Sequence, residues 1–206
     1  MRATLMGILL ALVVISCNRK PAPAGKEETA AKSEINGKYE LKSAIVEYKS
    51  DMMGFGASQT LWFDDHGQME ATETTMDVMG TTTRNLSVTK EGQTWNFDPK
   101  MKTGFKAPAL AGSSQLNFSQ LSDEVIKAWN LKEQGKETFL ERECIRYSVD
   151  NKEFNIKGDY WVYKGIPLKM ELEMATSRMV MEAVTLTENA EMPAGRFDIP
   201  ADIVFN

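Results

Sequence analysis

From Ile35 onward the chain is built of short runs in which apolar and polar residues alternate, the period-two signature of half-buried strands. The clearest is Leu168-Lys169-Met170-Glu171-Leu172-Glu173-Met174, with Leu168, Met170, Leu172 and Met174 on one side and charges on the other. The stretch GKYELKSAIVEYKS alternates with one break at Ile45-Val46, which predicts a bulge there. SQTLWFDDHGQMEATE reads as two strands about the turn Asp64-Asp65-His66-Gly67, and LSVTKEGQTWNFDPK as two about Lys90-Glu91-Gly92-Gln93. KETFLERECIRYSVD, GDYWVYKGIPLKMELEM and SRMVMEAVTLTE continue the series. Successive hairpins of this kind build an antiparallel meander that must curl or be covered.

One segment departs from period two. In FSQLSDEVIKAWNLK the apolar residues Leu121, Val125, Ile126 and Trp129 recur as one face of a helix, with Ser119 or Ser122 as its cap. Such a helix is expected to lie over one face of the sheet. Gly104–Asn117, just before it, reads as a long loop with apolar spots at Phe105 and Leu110. Trp95 and Phe97 are expected to share the side of Leu168, Met170, Leu172 and Met174, with Trp129 closing over them. Met179 and Met181 follow on the next strand, where Val180 and Val184 compete for the same face. Thioether side chains adapt to irregular partners, and they also serve as ordinary core filler. The chain holds thirteen methionines.

Composition narrows the chemistry. The net charge is −5, and Lys and Arg are interspersed with Asp and Glu, which argues against nucleic acid as a partner. His66 is the one histidine and sits in a predicted turn beside Asp64 and Asp65, where polar residues are expected for turn reasons alone. A His-based metal cluster cannot be assembled from it. Cys144 lies within a predicted strand, a setting typical of inert buried thiols. No nucleophile elbow, phosphate-binding loop or Ser-x-x-Lys set is present. The pairs Glu141/Glu143 and Glu171/Glu173 fall on strand faces that read as solvated. The expectation is a protein that is not an enzyme and needs no cofactor and no metal.

The first residues have a different design. Arg2 precedes an apolar run, Leu5 to Ile15 apart from Gly7, which is too short to span a bilayer and matches a secretory leader. It ends at Val14-Ile15-Ser16-Cys17, which resembles the lipobox of bacterial lipoproteins. That resemblance implies cleavage after residue 16 and acylation of Cys17, with palmitate among the fatty acids attached. Two or three acyl chains, at about 0.8 kcal/mol per buried CH₂, anchor a protein firmly. Residues 17–34, with Pro21, Pro23 and Gly25, read as a lipidated flexible tether. Removing Arg2 with the leader leaves a mature charge near −6 and Cys144 as the remaining free thiol. Asn18 after the cysteine departs from the Asp of an inner-membrane retention signal, so the expected location is the outer membrane, facing the periplasm.

WFDDHGQ, WNFDPKMKTGFK, YWVYKGIPLKMELE and the closing GRFDIPADIVF, together with that cysteine, make residues 35–206 similar to the LolA-like superfamily, in its branch of envelope lipoproteins. The resemblance implies a mainly β (α+β) fold: a strongly curved, unclosed antiparallel half-barrel covered by one or two helices. It further implies that the concave side is a ligand cavity that takes a lipid or acyl chain, in a carrier or a sensor, with Trp95, Phe97, Trp129, Leu168, Met170, Leu172 and Met174 as its expected lining. There are departures: Met52-Met53-Gly54-Phe55-Gly56 and Val78-Met79-Gly80 are only loosely comparable to the protruding apolar loop of one member, and the start of the domain differs. Carriers of this kind begin with a substantial amphipathic helix, for which Lys26–Ile35 supplies only a short polar segment. The alternative is a non-catalytic structural or protein-interaction lipoprotein whose interior is filled by its own side chains.

Overall fold

The computed structural model describes residues 37–52, 54–78, 80–109 and 116–206. The leader, Cys17, the tether and Lys26–Ile35 lie outside these residues. Among the described residues the strands are β1 (Ala44–Met52), β2 (Phe55–Asp64), β3 (Met69–Val78), β4 (Thr81–Lys90), β5 (Gln93–Asp98) and β6 (Thr103–Pro108), followed by β7 (Lys132–Phe139), β8 (Arg142–Asn151), β9 (Ile156–Tyr163), β10 (Ile166–Met174), β11 (Ser177–Glu188) and β12 (Val204–Phe205). They form one sheet in the order β12-β6-β5-β4-β3-β2-β1-β11-β10-β9-β8-β7. Its two edges do not meet. It is an open, curved half-barrel.

The hairpins follow from turn chemistry. Between β4 and β5, Glu91 and Gly92 both take positive φ (51° and 69°), the geometry of a tight turn that matches strand twist. Between β2 and β3, Asp64 caps the turn by accepting from the Asp65 N–H, and Gly67 takes φ 86°. All pairings but one are antiparallel; β12 runs parallel to β6, and with it the segment predicted as loop from Gly104 becomes strand as far as Pro108. The bulge expected at Ile45-Val46 falls instead where β1 meets β11, between Glu47 and Tyr48. Residues 37–43, expected to begin a strand, cross the end of the sheet instead.

The helix α1 (Asp123–Ala128) is shorter than its apolar pattern suggested, and Ser122 rather than Ser119 caps it through the Val125 N–H. Leu121, Val125 and Trp129 face the sheet, whereas Ile126 is exposed. Ser119 Oγ donates to the Lys38 carbonyl and Asp150 N–H donates to the Trp129 carbonyl, so the helical segment runs lengthwise from one end of the strands to the other. Under it Phe118, Trp129 and Leu131 pack on Val149, Tyr160, Val162 and Leu172. Tyr39 and Leu41 cap a second cluster with Val46, Phe63, Ile166 and Leu168.

A third cluster belongs to the opposite face. Directly paired residues project on the same side. Trp95 pairs with Val88, Val88 with Ala71, and Ala71 with Trp62. Met170 pairs with Met181, Met181 with Ser50, and Ser50 with Ala57. Trp62 and Ala57 are five residues apart on the unbroken strand β2, hence on opposite faces. Trp95 and Phe97 therefore do not join Leu168, Met170, Leu172 and Met174. They are covered by the chain's last residues, Phe197, Ile199, Ile203 and Phe205, with Arg196 stacked 3.7 Å over Trp62.

Candidate functional site

The helix-covered face changes character across the sheet. Over β8, β9 and β10 it is closed by α1. Farther on, one transverse row runs Met170–Met181–Ser50–Ala57–Met76 through β10, β11, β1, β2 and β3. All five are half-buried and none carries an ionisable group. Short residues in the middle and thioethers at both sides give this row the profile of a shallow groove. The row beside it, toward the strand tips, holds Leu172 and Met179 and ends at Phe55.

Burial along the groove is graded. On β2 the side chains of this face go from Phe55, 42% exposed, through half-buried Ala57 and Gln59, to Leu61 and Phe63 at 9% and 0%. On β11, Met179 and Met181 are half-buried and Ala183 is buried. The closed end is made by residues 37–43. The amides of Lys38 and Tyr39 donate to the His66 carbonyl, Glu40 N–H donates to the Lys164 carbonyl, and His66 N–H donates to the Lys42 carbonyl. Tyr39 stacks on Phe63 at 4.2 Å, and its hydroxyl donates to the buried Glu70 at 2.7 Å. Lys38 Nζ also pairs with Glu70. Burial, and then the Glu70 charge, hold the Tyr39 and Tyr48 phenols far above their ordinary pKa, so both stay neutral donors.

The residues expected to line the cavity each have a definite place. Cys17 lies outside the described residues. Trp129, Leu172 and Met170 come together under the helix, with Trp129 and Leu172 at 5% and 4% exposure. Leu168 is wholly buried in the neighbouring cluster, and Met174 is half-buried at the tip of β10. Trp95 and Phe97 are on the other face. Ser50, Ala57 and Met76 were not singled out from the sequence; only the strand register gathers them.

Two recesses open at the strand tips: one of about 390 Å³ lined by Asp51, Gly54, Thr176, Ser177, Arg178 and Val180, and one of about 230 Å³ that includes Asn130, Ser148 and Lys157. None of the seven residues expected to line a cavity borders either. His66 serves its turn, with Nδ1 3.1 Å from the Tyr39 carbonyl. Burial raises the Cys144 thiol, whose side chain is inaccessible. Among the described residues no group of three His, Cys, Asp or Glu side chains is placed to hold a metal ion.

The open order of the sheet matches the half-barrel implied by the sequence motifs. It is the fold that the resemblance to the LolA-like superfamily implies. No family model matches the sequence, and no curated protein matches it. Among solved structures, the chain is similar to an uncharacterized conserved protein from Thermus thermophilus, at 11% identity and a TM-score of 0.56, covering 81% of this chain and 91% of that one. It is also similar to a chain of the Pseudomonas aeruginosa MucA/MucB complex, at 14% identity and a TM-score of 0.51, covering 80% of this chain and 58% of that one. At these identities the likeness concerns the fold alone.

Proposed function

We propose that this protein is a non-catalytic, lipid-anchored protein of the bacterial cell envelope, in the outer membrane facing the periplasm, whose domain holds the hydrocarbon chain of a lipid in the methionine groove. The observation that carries the reading is the row Met170–Met181–Ser50–Ala57–Met76. It is apolar or small throughout, half-buried, and continuous with the core under α1. Methionine suits a surface that must pack against a flexible chain. Each methylene withdrawn from water there contributes about 0.8 kcal/mol.

The tryptophans supply a direct test. Trp129 belongs to the helix-covered face, whereas Trp62 and Trp95 belong to the opposite cluster and Trp161 pairs with Lys169 on that same opposite side. Fatty acids carrying bromine are expected to quench the domain's fluorescence, and Trp129→Phe is expected to remove the quenchable part while Trp161→Phe leaves it. Equal quenching of the two variants would place the lipid elsewhere.

The anchor is tested separately. Cells grown with labelled palmitate are expected to give a labelled, detergent-phase protein, and Cys17→Ala an unlabelled, aqueous-phase one. Labelling of both would end the claim.

A second reading has its own support. Leu168, Leu172 and Trp129 are almost fully buried by the protein's own side chains, as in a filled core. A chain of similar fold, in the MucA/MucB structure, was solved in a protein complex. On this reading the same face, or the strand tips, receives a protein segment, and brominated lipid quenches nothing.

A further inference from the structure

We infer that the groove is blind, so that a hydrocarbon chain enters it tail-first from the strand tips and leaves by the same end. This rests on the lipid-binding reading above and adds a direction to it. The antiparallel order puts the turns at Asp65–Gly67, Glu91–Gly92 and Lys164–Gly165 at one end of the sheet, and those at Gly54, Gly80 and Thr176 at the other. At the first end residues 37–43 are stitched to two of these turns, through His66 and Lys164, and Ser43 Oγ donates to the Ala190 carbonyl. The close approach leaves no slack: a Cβ on Gly37 would lie 2.5 Å from the His66 side chain, and one on Gly165 would lie 2.2 Å from Ser119 Oγ.

Charge points the same way. The row Met170–Met181–Ser50–Ala57–Met76 that floors the groove has no ionisable side chain. Its blind end terminates at Glu70, which is buried and already satisfied by Lys38 and Tyr39. A lipid headgroup driven there would lose its water and find these donors taken, at a high desolvation cost. At the tips the groove's face ends on Phe55, 42% exposed, and on half-buried Met174 and Ser177, whereas Asp51, Asp77 and Arg178 at that end stand on the opposite face. Apolar floor, blocked bottom and tips open to water fit a single-chain amphiphile with its tail inside and its head in water. From Phe55 to Phe63 the face runs eight residue steps, or ~26 Å of strand at ~3.3 Å each.

Trp129 lies toward the tips, since its carbonyl accepts from Asp150 near the end of β8. The probes are two fatty acids of equal length, one brominated next to the carboxyl group and one at the terminal methyl. With the domain free of its leader, tail-first entry from the tips is expected to make the carboxyl-side bromine quench Trp129 more strongly, in titrations taken to saturation. Trp129→Phe should abolish the difference. Equal quenching, or stronger quenching by the methyl-end bromine, would overturn the direction while leaving lipid binding standing. No quenching by either would overturn the lipid-binding reading, and the direction with it.

Discussion

Gly158→Ala is expected to cost the domain at least about 3 kcal/mol, from a strained backbone and a collision together. Gly158 lies on β9 with φ 151°, paired with Leu172 on one side and Val149 on the other. A Cβ built there would stand 1.9 Å from the Glu171 carbonyl oxygen and 3.0 Å from the Leu172 Cα. Both atoms are backbone of β10, the strand that carries Leu168, Met170 and Leu172, so relief requires β10 to move away from β9. In a domain of this size each kcal/mol lowers Tm by about 2–4 °C, so a fall of roughly 6–12 °C is expected. Gly56→Ala is the control. It lies on an exposed part of β2 with nothing within 4 Å of its would-be Cβ, and its Tm should stay near that of the parent. Thermal melts followed by circular dichroism compare the two; a Gly158→Ala melt matching the Gly56→Ala melt would mean that β9 and β10 do not pack this tightly.

What could be read from the sequence, and what could not, follows the reach of the interactions concerned. Turn chemistry is local, so Asp64–Gly67 and Lys90–Gln93 announced their hairpins, and the alternation of Leu168 to Met174 announced its strand and apolar side. Faces of distant strands are not local. Whether Trp95 shares a side with Met170 depends on every loop length and bulge between them, including the shift where Glu47 and Tyr48 meet β11. The register resolves it against the sequence expectation. Phe197, Ile199, Ile203 and Phe205 alternate too loosely to reveal that they cover a second core. Ser50 and Ala57 are small, ordinary residues in sequence, and they matter because they sit between Met181 and Met76. The two-residue spacing of Met179 and Met181 was visible, but their face became definite through pairing with Leu172 and Met170.

Ala57→Phe separates an open groove from a filled one. Ala57 is half-buried within the row, directly opposite Ser50 on one side and Met76 on the other. If the space over Ala57 is open to a ligand, a phenyl ring can lie in it without displacing protein atoms, and Tm is expected to hold or rise. The ring then occupies the place of about four methylenes of a bound chain, at about 0.8 kcal/mol each. That is about 3 kcal/mol, on the order of a hundredfold in Kd for a fluorescent fatty acid. If the space is already filled by neighbouring side chains, the same ring overpacks the face and destabilises it by about 1–3 kcal/mol. Binding was then never there to lose. Tm and Kd thus move in opposite combinations under the two readings: an unchanged Tm with lost binding is the expected result, and a lowered Tm in a protein that binds no lipid before or after the change would leave the filled core. Gln59→Leu, on the same face toward the closed end, adds apolar surface without bulk and should tighten binding in the first case alone.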